Sequence, residues 1–330
     1  MSVTARLVIG IDVGGTKAAA GLVGDDLQVL ATTKRPTHGV DADGLIDLLV
    51  EEVEELRAQA SGEVVAVGLG IPVLLDREGV AWNATNLPLR PGVSVGREVA
   101  ARVGLPVVSD NDANCAGIAE HAAGAGRGHE NLVLLTVGTG VGGGVIVNDE
   151  PLRGAHGMAA ELGHLTIHAD GRPCIGDCAN RGCLEAEASG TALGRIAREV
   201  AEEHPQSLLA REQAAGTLDG PRVTALAQAG DPEAIEALRR LGVNLGVGMA
   251  SLGNIFDPGL FLIGGGVSAA GDLLLVPARD EFLRRVKGPI GERTEVRLAR
   301  FGGEAGLLGA AILAQRAARG DAGRAAVARP

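Results

Sequence analysis

A chain of 330 residues is longer than one hydrophobic core usually serves, so two domains are expected. Apolar residues make up 46% and charged residues 22%, as in an ordinary globular protein, while aromatics at 2%, with no tyrosine, leave no stacking platform for single-stranded nucleic acid. A net charge of −11 without a basic block argues against nucleic acid or an anionic membrane as partner, and no apolar run reaches spanning length.

In chain order the first elements are a strand at 6–11, a Gly14-Gly15 turn, and strands at 18–23 and 29–33. A helix follows, with Asp43 as its expected N-cap and Leu45, Ile46, Leu49, Val53 and Leu56 at helical spacing. The continuous apolar run 64–69 reads as a buried strand. A short strand ends at Val107-Val108, and a helix opens near Asp110 or Asn111 and runs to about Ala123. At Leu132 the opening theme returns: LVLLTVGTGVGGGVIV at 132–147 stands against LVIGIDVGGTKAAAGLV at 7–23, matching Asp12 to Thr136 and Gly14 to Gly138. Two copies of strand, glycine turn, strand predict two similar domains facing each other across a cleft. Then come a cysteine-rich loop at 171–183, a long helix at 232–255, a strand at 260–263 and helices at 273–286 and 305–318. The tail, 321–330, is expected to fray.

The 51 glycines are the compositional excess, and they cluster where a backbone must turn tightly or approach a ligand. Three clusters follow or link apolar strands: Asp12-Val13-Gly14-Gly15-Thr16-Lys17, Gly138-Thr139-Gly140-Val141-Gly142-Gly143-Gly144 and Gly264-Gly265-Gly266. One such cluster reads as a hairpin turn. Three, with Asp and Thr beside the glycines, read as backbone N–H cradles for nucleotide phosphates. No Gly-Lys-Ser/Thr tripeptide is present, which excludes a Walker A loop. Gly138-x-Gly140-x-x-Gly143 matches the dinucleotide fingerprint, but β-branched Val145-Ile146-Val147 follows where that fingerprint opens a helix. The four cysteines are Cys115, Cys174, Cys178 and Cys183. With no secretory signal at the N-terminus the chain is expected to be cytoplasmic, and three cysteines within ten residues then point to a metal more than to a disulfide.

These motifs resemble those of the ROK sugar kinases, relatives of the actin-like ATPases, over nearly the whole chain. Residues 9–16 are similar to the first phosphate loop of that superfamily and 135–144 to the second. The run from Gly154 through Glu161-Leu162-Gly163-His164 resembles the family signature. Cys178-Ala179-Asn180-Arg181-Gly182-Cys183-Leu184-Glu185 resembles its zinc and sugar segment, and Asn254-Ile255-Phe256-Asp257-Pro258 with residues 262–268 its adenosine region. Glu304-Ala305-Gly306-Leu307-Leu308-Gly309-Ala310 is similar to its closing helix.

The resemblance implies an α/β fold of two actin-like (ribonuclease H-like) domains around a central cleft: 1–123, then 124–320 with a zinc-binding loop near 164–185. The closing helix 305–318 is expected to pack back on the first domain. The implied reaction is ATP-dependent phosphorylation of glucose. Alternatives are a sister kinase for fructose, mannose, N-acetylglucosamine or N-acetylmannosamine, and a non-catalytic sugar-sensing regulator. The family's regulators carry a helix-turn-helix ahead of the first phosphate loop, which begins here within the first dozen residues. Asp112, in Asn111-Asp112-Ala113-Asn114, falls at the catalytic aspartate's place, where a carboxylate can accept the sugar proton; by itself an aspartate at a helix start is more often a cap. Asn86, Asn111, Glu161, His164 and Glu185 are the implied sugar ligands. Asp12 would help hold Mg²⁺ through water, with Gly14, Gly15, Thr16, Lys17, Gly138, Thr139, Gly140 and Gly264–Gly266 around ATP. His164, Cys174, Cys178 and Cys183 form a donor set suited to tetrahedral structural zinc, although three residues separate Cys174 from Cys178 where the family has one. Two further departures add bulk near the expected sugar pocket: Pro72-Val73 for Pro-Gly, and Ala159-Ala160-Glu161 for Ala-Gly-Glu. A homodimer or homotetramer is the implied assembly.

Overall fold

Residues 6–83, 87–321, 323 and 325–330 are described by the computed structural model. In chain order the elements are β1 (Arg6–Val13), β2 (Lys17–Val23), β3 (Val29–Pro36), α1 (Ala42–Ala58), β4 (Glu63–Ile71), β5 (Leu74–Leu75), β6 (Ala81–Asn83), α2 (Val95–Val103), β7 (Val107–Asn111) and α3 (Asp112–Ala123). There follow β8 (Leu132–Val137), β9 (Val141–Val147), β10 (Glu150–Pro151), α4 (Leu184–Ala188), α5 (Gly190–Glu203), α6 (Leu208–Ala214), α7 (Gly220–Gln228) and α8 (Pro232–Phe256). The chain closes with β11 (Leu260–Gly264), α9 (Asp272–Arg285), α10 (Gly288–Arg293), β12 (Glu295–Leu298), α11 (Ala305–Ala318) and β13 (Ala326–Ala328). It divides into two units, Met1–Ala122 with Pro151–Ala160 and Glu304–Pro330, and Ala123–Glu150 with Glu161–Gly303. Among the described residues no helix is long and apolar enough to cross a membrane.

The first unit is built on the sheet β13-β7-β4-β1-β2-β3. β1 and β4 pair in parallel and are apolar and buried almost throughout, as strands covered on both faces must be. β3, at the edge, alternates half-buried and exposed residues. Alternation sends Ile9 and Ile11 of β1 into a core shared with Leu45, Leu49, Val53 and Leu56 of α1. Gly10 faces the other way, where α11 lies so close that a Cβ at Gly10 would overlap the Leu307 carbonyl oxygen, and one at Gly68 of β4 that of Ala310. Two expectations change. Asp41, not Asp43, caps α1, its carboxylate accepting from the Gly44 amide at 2.9 Å, because only the residue just outside the helix can turn its side chain back onto the first-turn N–H groups. The tail does not fray over its whole length: Ala326–Ala328 adds an antiparallel strand to β7, with Val327 opposite Val108.

The second unit repeats the arrangement with the sheet β10-β9-β8-β11-β12. β8 and β9 form an antiparallel hairpin, and β11 and β12 extend it in parallel, as β4 and β7 extend the hairpin of β1 and β2. The short sequence repeat is thus a repeat of topology. α8 starts at Asp231, whose side chain caps it at 2.9 Å, with Pro232 in its first turn. Its Gly242 and Gly246 let α9 approach closely, and Phe282 of α9 meets Phe261 of β11 edge-on at 5.3 Å between ring centres.

Candidate active site

In the first unit, β1 carries Asp12 next to its end and returns through a turn in which the Gly14 amide donates to the Lys17 carbonyl at 2.9 Å. Thr37 steadies this turn, its hydroxyl donating to the Gly14 carbonyl at 2.7 Å and its amide to the Thr16 carbonyl at 3.0 Å, which leaves Gly15, Thr16 and Lys17 exposed at the tip. The Asp12 carboxylate lies against Gly306 at the start of α11, where a Cβ would come within 2.5 Å of its Cγ. Burial, then the charge of Asp112, push its pKa up to about 7, and Lys17 pulls the other way. Two carboxylates in one poorly solvated place call for a cation.

Asp112 opens α3 immediately after β7. Asn111 takes the capping role, its Oδ1 accepting from the amides of Ala113 at 2.9 Å and Asn114 at 3.3 Å, so Asp112 is not consumed as the cap. Asp112 is half-buried, and burial raises its pKa above the usual carboxylate range, offset in part by the Ala113 amide, which donates to its Oδ1 at 2.9 Å. Asn111 Nδ2 reaches the Val73 carbonyl at 3.5 Å. The Val73 side chain is 4% exposed and belongs to the first unit's core, so its added bulk is absorbed by packing rather than presented to a ligand.

The neighbouring Asp110, in the sequence only a candidate cap, has a partner that the sequence does not announce, Arg153. Both are buried, and Arg153 donates to Asp110 Oδ2 through Nε at 2.9 Å and Nη2 at 2.6 Å. Nothing in the sequence marks Arg153 as buried; the one available hint is its place directly before the Gly154–His164 signature.

In the second unit the Gly138–Gly140 turn is gripped at several points. The Gly190 amide donates to the Gly138 carbonyl at 2.7 Å and the Thr191 hydroxyl to the Thr139 carbonyl at 2.8 Å, two contacts from the start of α5 that the sequence did not disclose. Glu185 of α4 accepts from the Val141 amide at 2.9 Å, and a Cβ at Gly140 would overlap its Oε2. Gly163, between Glu161 and His164 in a 3₁₀ turn at Leu162–His164, packs against the Val141 backbone with no room for a Cβ. The glycine loop, Glu185 and the Glu161–His164 turn are therefore brought together. Gly265, after β11, holds φ +82° with Val137 backbone atoms within 2.6 Å of any added Cβ, a conformation and an approach reserved for glycine. A Cβ at Gly138 or Gly266 would meet nothing within 4 Å, so both present bare backbone to open space. Gly140→Ala is expected to dislodge Glu185 with little change in melting temperature; with Glu185 on the sugar, as the resemblance implies, the sugar KM rises about tenfold, the worth of one charge-assisted hydrogen bond. An unchanged sugar KM in steady-state assays would separate Glu185 from the sugar.

Ala160 replaces the family's glycine at φ +71°, the left-handed region that costs a residue with a Cβ roughly 1 kcal/mol. The departure is paid in backbone strain. Asn86 lies outside the described residues.

Ligand atoms of His164, Cys174, Cys178 and Cys183 all lie within 4.8 Å of one another, with Cys174 Sγ 3.5 Å from His164 Nδ1. The wider Cys174–Cys178 spacing is taken up by a turn in which Gly176 adopts φ +73°, so Cys174 stays in the cluster. Burial and the two neighbouring thiols push Cys174 up to about 12, and burial first also raises Cys183. Three sulfurs and an imidazole in that space fit the donor set of a closed tetrahedral zinc site. Cys115 stands apart, fully buried in α3 and raised well above the usual thiol range, first by burial and then by Asp110, Asp12 and Asp112.

Comparison with known proteins agrees with this architecture. The chain is 39% identical over 318 residues to a glucokinase of Streptomyces coelicolor, covering 94% of this chain and 98% of that one. It is 36% identical over 311 residues to a glucokinase of Thermotoga maritima, covering 93% and 96% respectively. A crystal structure of a ROK family glucokinase from Streptomyces griseus in complex with glucose and AMPPNP superposes with a TM-score of 0.82 at 38% identity, covering 94% of this chain and 99% of that one. The ROK family model matches residues 8–317, and this chain belongs to the ROK family.

Proposed function

We propose that this chain is a glucokinase, transferring the γ-phosphoryl group of ATP to the 6-hydroxyl of glucose. The observation that carries the reading is Asn111-Asp112 at the β7–α3 junction of a chain 39% identical, over 94% of its length, to a glucokinase. Asp112 takes the hydroxyl proton as the sugar oxygen attacks the γ-phosphorus in line, and ADP departs. Its raised pKa, caused by burial, makes it a stronger base than a solvated aspartate. Asn111 Nδ2 has a second hydrogen to give to the sugar, and Asn86, Glu161, His164 and Glu185 read further hydroxyls, since carboxylates accept where imidazole can donate. The turns at Gly14–Lys17, Gly138–Gly140 and Gly264–Gly266 hold the nucleotide by backbone amides, as bare glycine at 138 and 266 allows. Asp12 would hold Mg²⁺ through water, and the ion would supply positive charge to the phosphates of ATP.

His164, Cys174, Cys178 and Cys183 hold one structural zinc. His164 Nδ1 lies by Cys174 Sγ, so with Nδ1 on a zinc its Nε2 would be left for the sugar, and His164 would be oriented by the metal it holds. Protein purified without chelator is expected to carry about one zinc per chain by elemental analysis. Cys183→Ser and Cys174→Ser should each lose it; metal-free protein with full activity would sink the assignment. The assembly is a cytoplasmic homodimer or homotetramer, which light scattering can decide.

The test of the function is ADP release across glucose, mannose, fructose, N-acetylglucosamine and N-acetylmannosamine. Glucose is expected to give the highest kcat/KM. An N-acetyl sugar as best substrate overturns the sugar, and no turnover with any of them overturns the kinase.

A further inference from the structure

Among the described residues Arg153 is the one basic side chain that is fully buried, at 7% exposed. Two of its nitrogens, Nε and Nη2, go to one oxygen, Asp110 Oδ2. The other oxygen, Oδ1, accepts from the Asn111 amide at 2.9 Å and from Asn114 Nδ2 at 3.0 Å. Asp110 is thus bonded through one oxygen to Asn111 and Asn114, which stand on either side of Asp112 and Ala113, and through the other to Arg153. Asn111, fixed by its own amide, is the residue whose side chain caps α3 and sets where Asp112 begins the helix.

Arg153 is itself held. Its carbonyl accepts from the Ala159 amide at 3.2 Å, closing the 153–159 loop. Arg77 donates to the Gly154 carbonyl at 3.0 Å, and Gly157 lies against the backbone of Leu75, Asp76 and Arg77 with no space for a Cβ. A buried arginine with a two-nitrogen grip restrains its partner in both position and direction, which lysine, a single point charge, does less well.

We propose that Arg153 is a positioning residue for phosphoryl transfer: through Asp110 it fixes the Asn111 backbone and so the placement of Asp112 for in-line proton abstraction. It touches neither sugar nor nucleotide. A small displacement of a base costs turnover steeply because the geometry of attack is lost before binding is. The proposal rests on the kinase reading above.

The experiment measures kcat, KM for glucose and melting temperature for the parent, Arg153→Lys, Arg153→Met and the double variant Asp110→Leu with Arg153→Met. Arg153→Met is expected to lower kcat about 30-fold with glucose KM shifted less than about threefold, and Arg153→Lys should recover part of the loss. Arg153→Met alone leaves a buried charge unpaired and should melt lower. The double variant removes both charges, so part of the stability should return, the Asn111 amide and Asn114 Nδ2 being left without their acceptor, while kcat stays low. That separation marks positioning, since a purely structural pair would regain turnover with stability. A double variant with the parent's kcat overturns the proposal, as does a loss confined to KM. A parent without sugar kinase activity overturns the kinase reading itself, a result distinct from an active parent with indifferent variants.

Discussion

Asp112→Asn is expected to lower kcat by about 10²-fold or more while glucose continues to bind. The amide keeps the shape of the side chain and, because Asn111 supplies the cap, leaves the start of α3 intact. What is lost is the site for the hydroxyl proton. The two effects separate in one experiment: glucose affinity by calorimetry should stay within a few fold, and single-turnover transfer should collapse. The parent's pH profile carries the same signature. Burial raises the Asp112 pKa, and the base acts deprotonated, so activity should fall as pH drops through a value above the ordinary aspartate range. Near-normal turnover in Asp112→Asn would remove this residue from the mechanism.

Gly309→Ala is expected to destabilise the fold severely although it adds one methyl group. The Cβ would overlap the carbonyl oxygen of Cys115, and the atoms it meets are backbone, which cannot swing aside as a side-chain tip can. α11 and α3 must therefore part, and overpacking of this kind costs about 1–3 kcal/mol or more. Since α3 begins with Asp112, the shift should reach activity too. A thermal melt checks it, with Gly303→Ala, where a Cβ meets nothing within 4 Å, as the control. Equal melting temperatures for the two variants would show that the interlock of α11 with α3 yields cheaply.

The sequence disclosed what periodicity and glycine can write. The apolar face of α1 was legible because its residues recur at helical spacing, and the strand-glycine-strand theme because it occurs twice, at 7–23 and 132–147. The glycine clusters were legible as turns where they begin, although among them only Gly265 holds a positive φ and residues 142–144 lie within β9. Three features were not. The Asp41 cap was misplaced by two residues because Asp41 and Asp43 are chemically identical candidates and only backbone geometry chooses between them. Ala326–Ala328 carries no strand signal of its own and forms one because the edge of β7 offers unpaired backbone. The Asp110–Arg153 pair lies 43 residues apart, and no local pattern announces that an arginine will be buried. For the site, His164, Cys174, Cys178, Cys183 and Asp112 stand out through a family resemblance and not through spacing alone. The physical roles of Gly140 and Gly163, as room left for Glu185 and for the Val141 backbone, needed coordinates.

The first unit is drawn from three stretches of chain, and its last helix, α11, is laid over glycines of β1 and β4. On a ribosome these pieces arrive far apart in time. Everything in Ala123–Glu150 and Glu161–Gly303 has been made before Ala305 is joined to the chain, so the second unit can close first although its sequence starts later. The opening sheet must wait with its glycine-floored face bare until Ala305–Ala318 emerges. Nascent chains stalled before residue 305 should therefore protect the second unit from protease and leave the strand bearing Asp12 open to it, and the unit that carries Asp112 closes last.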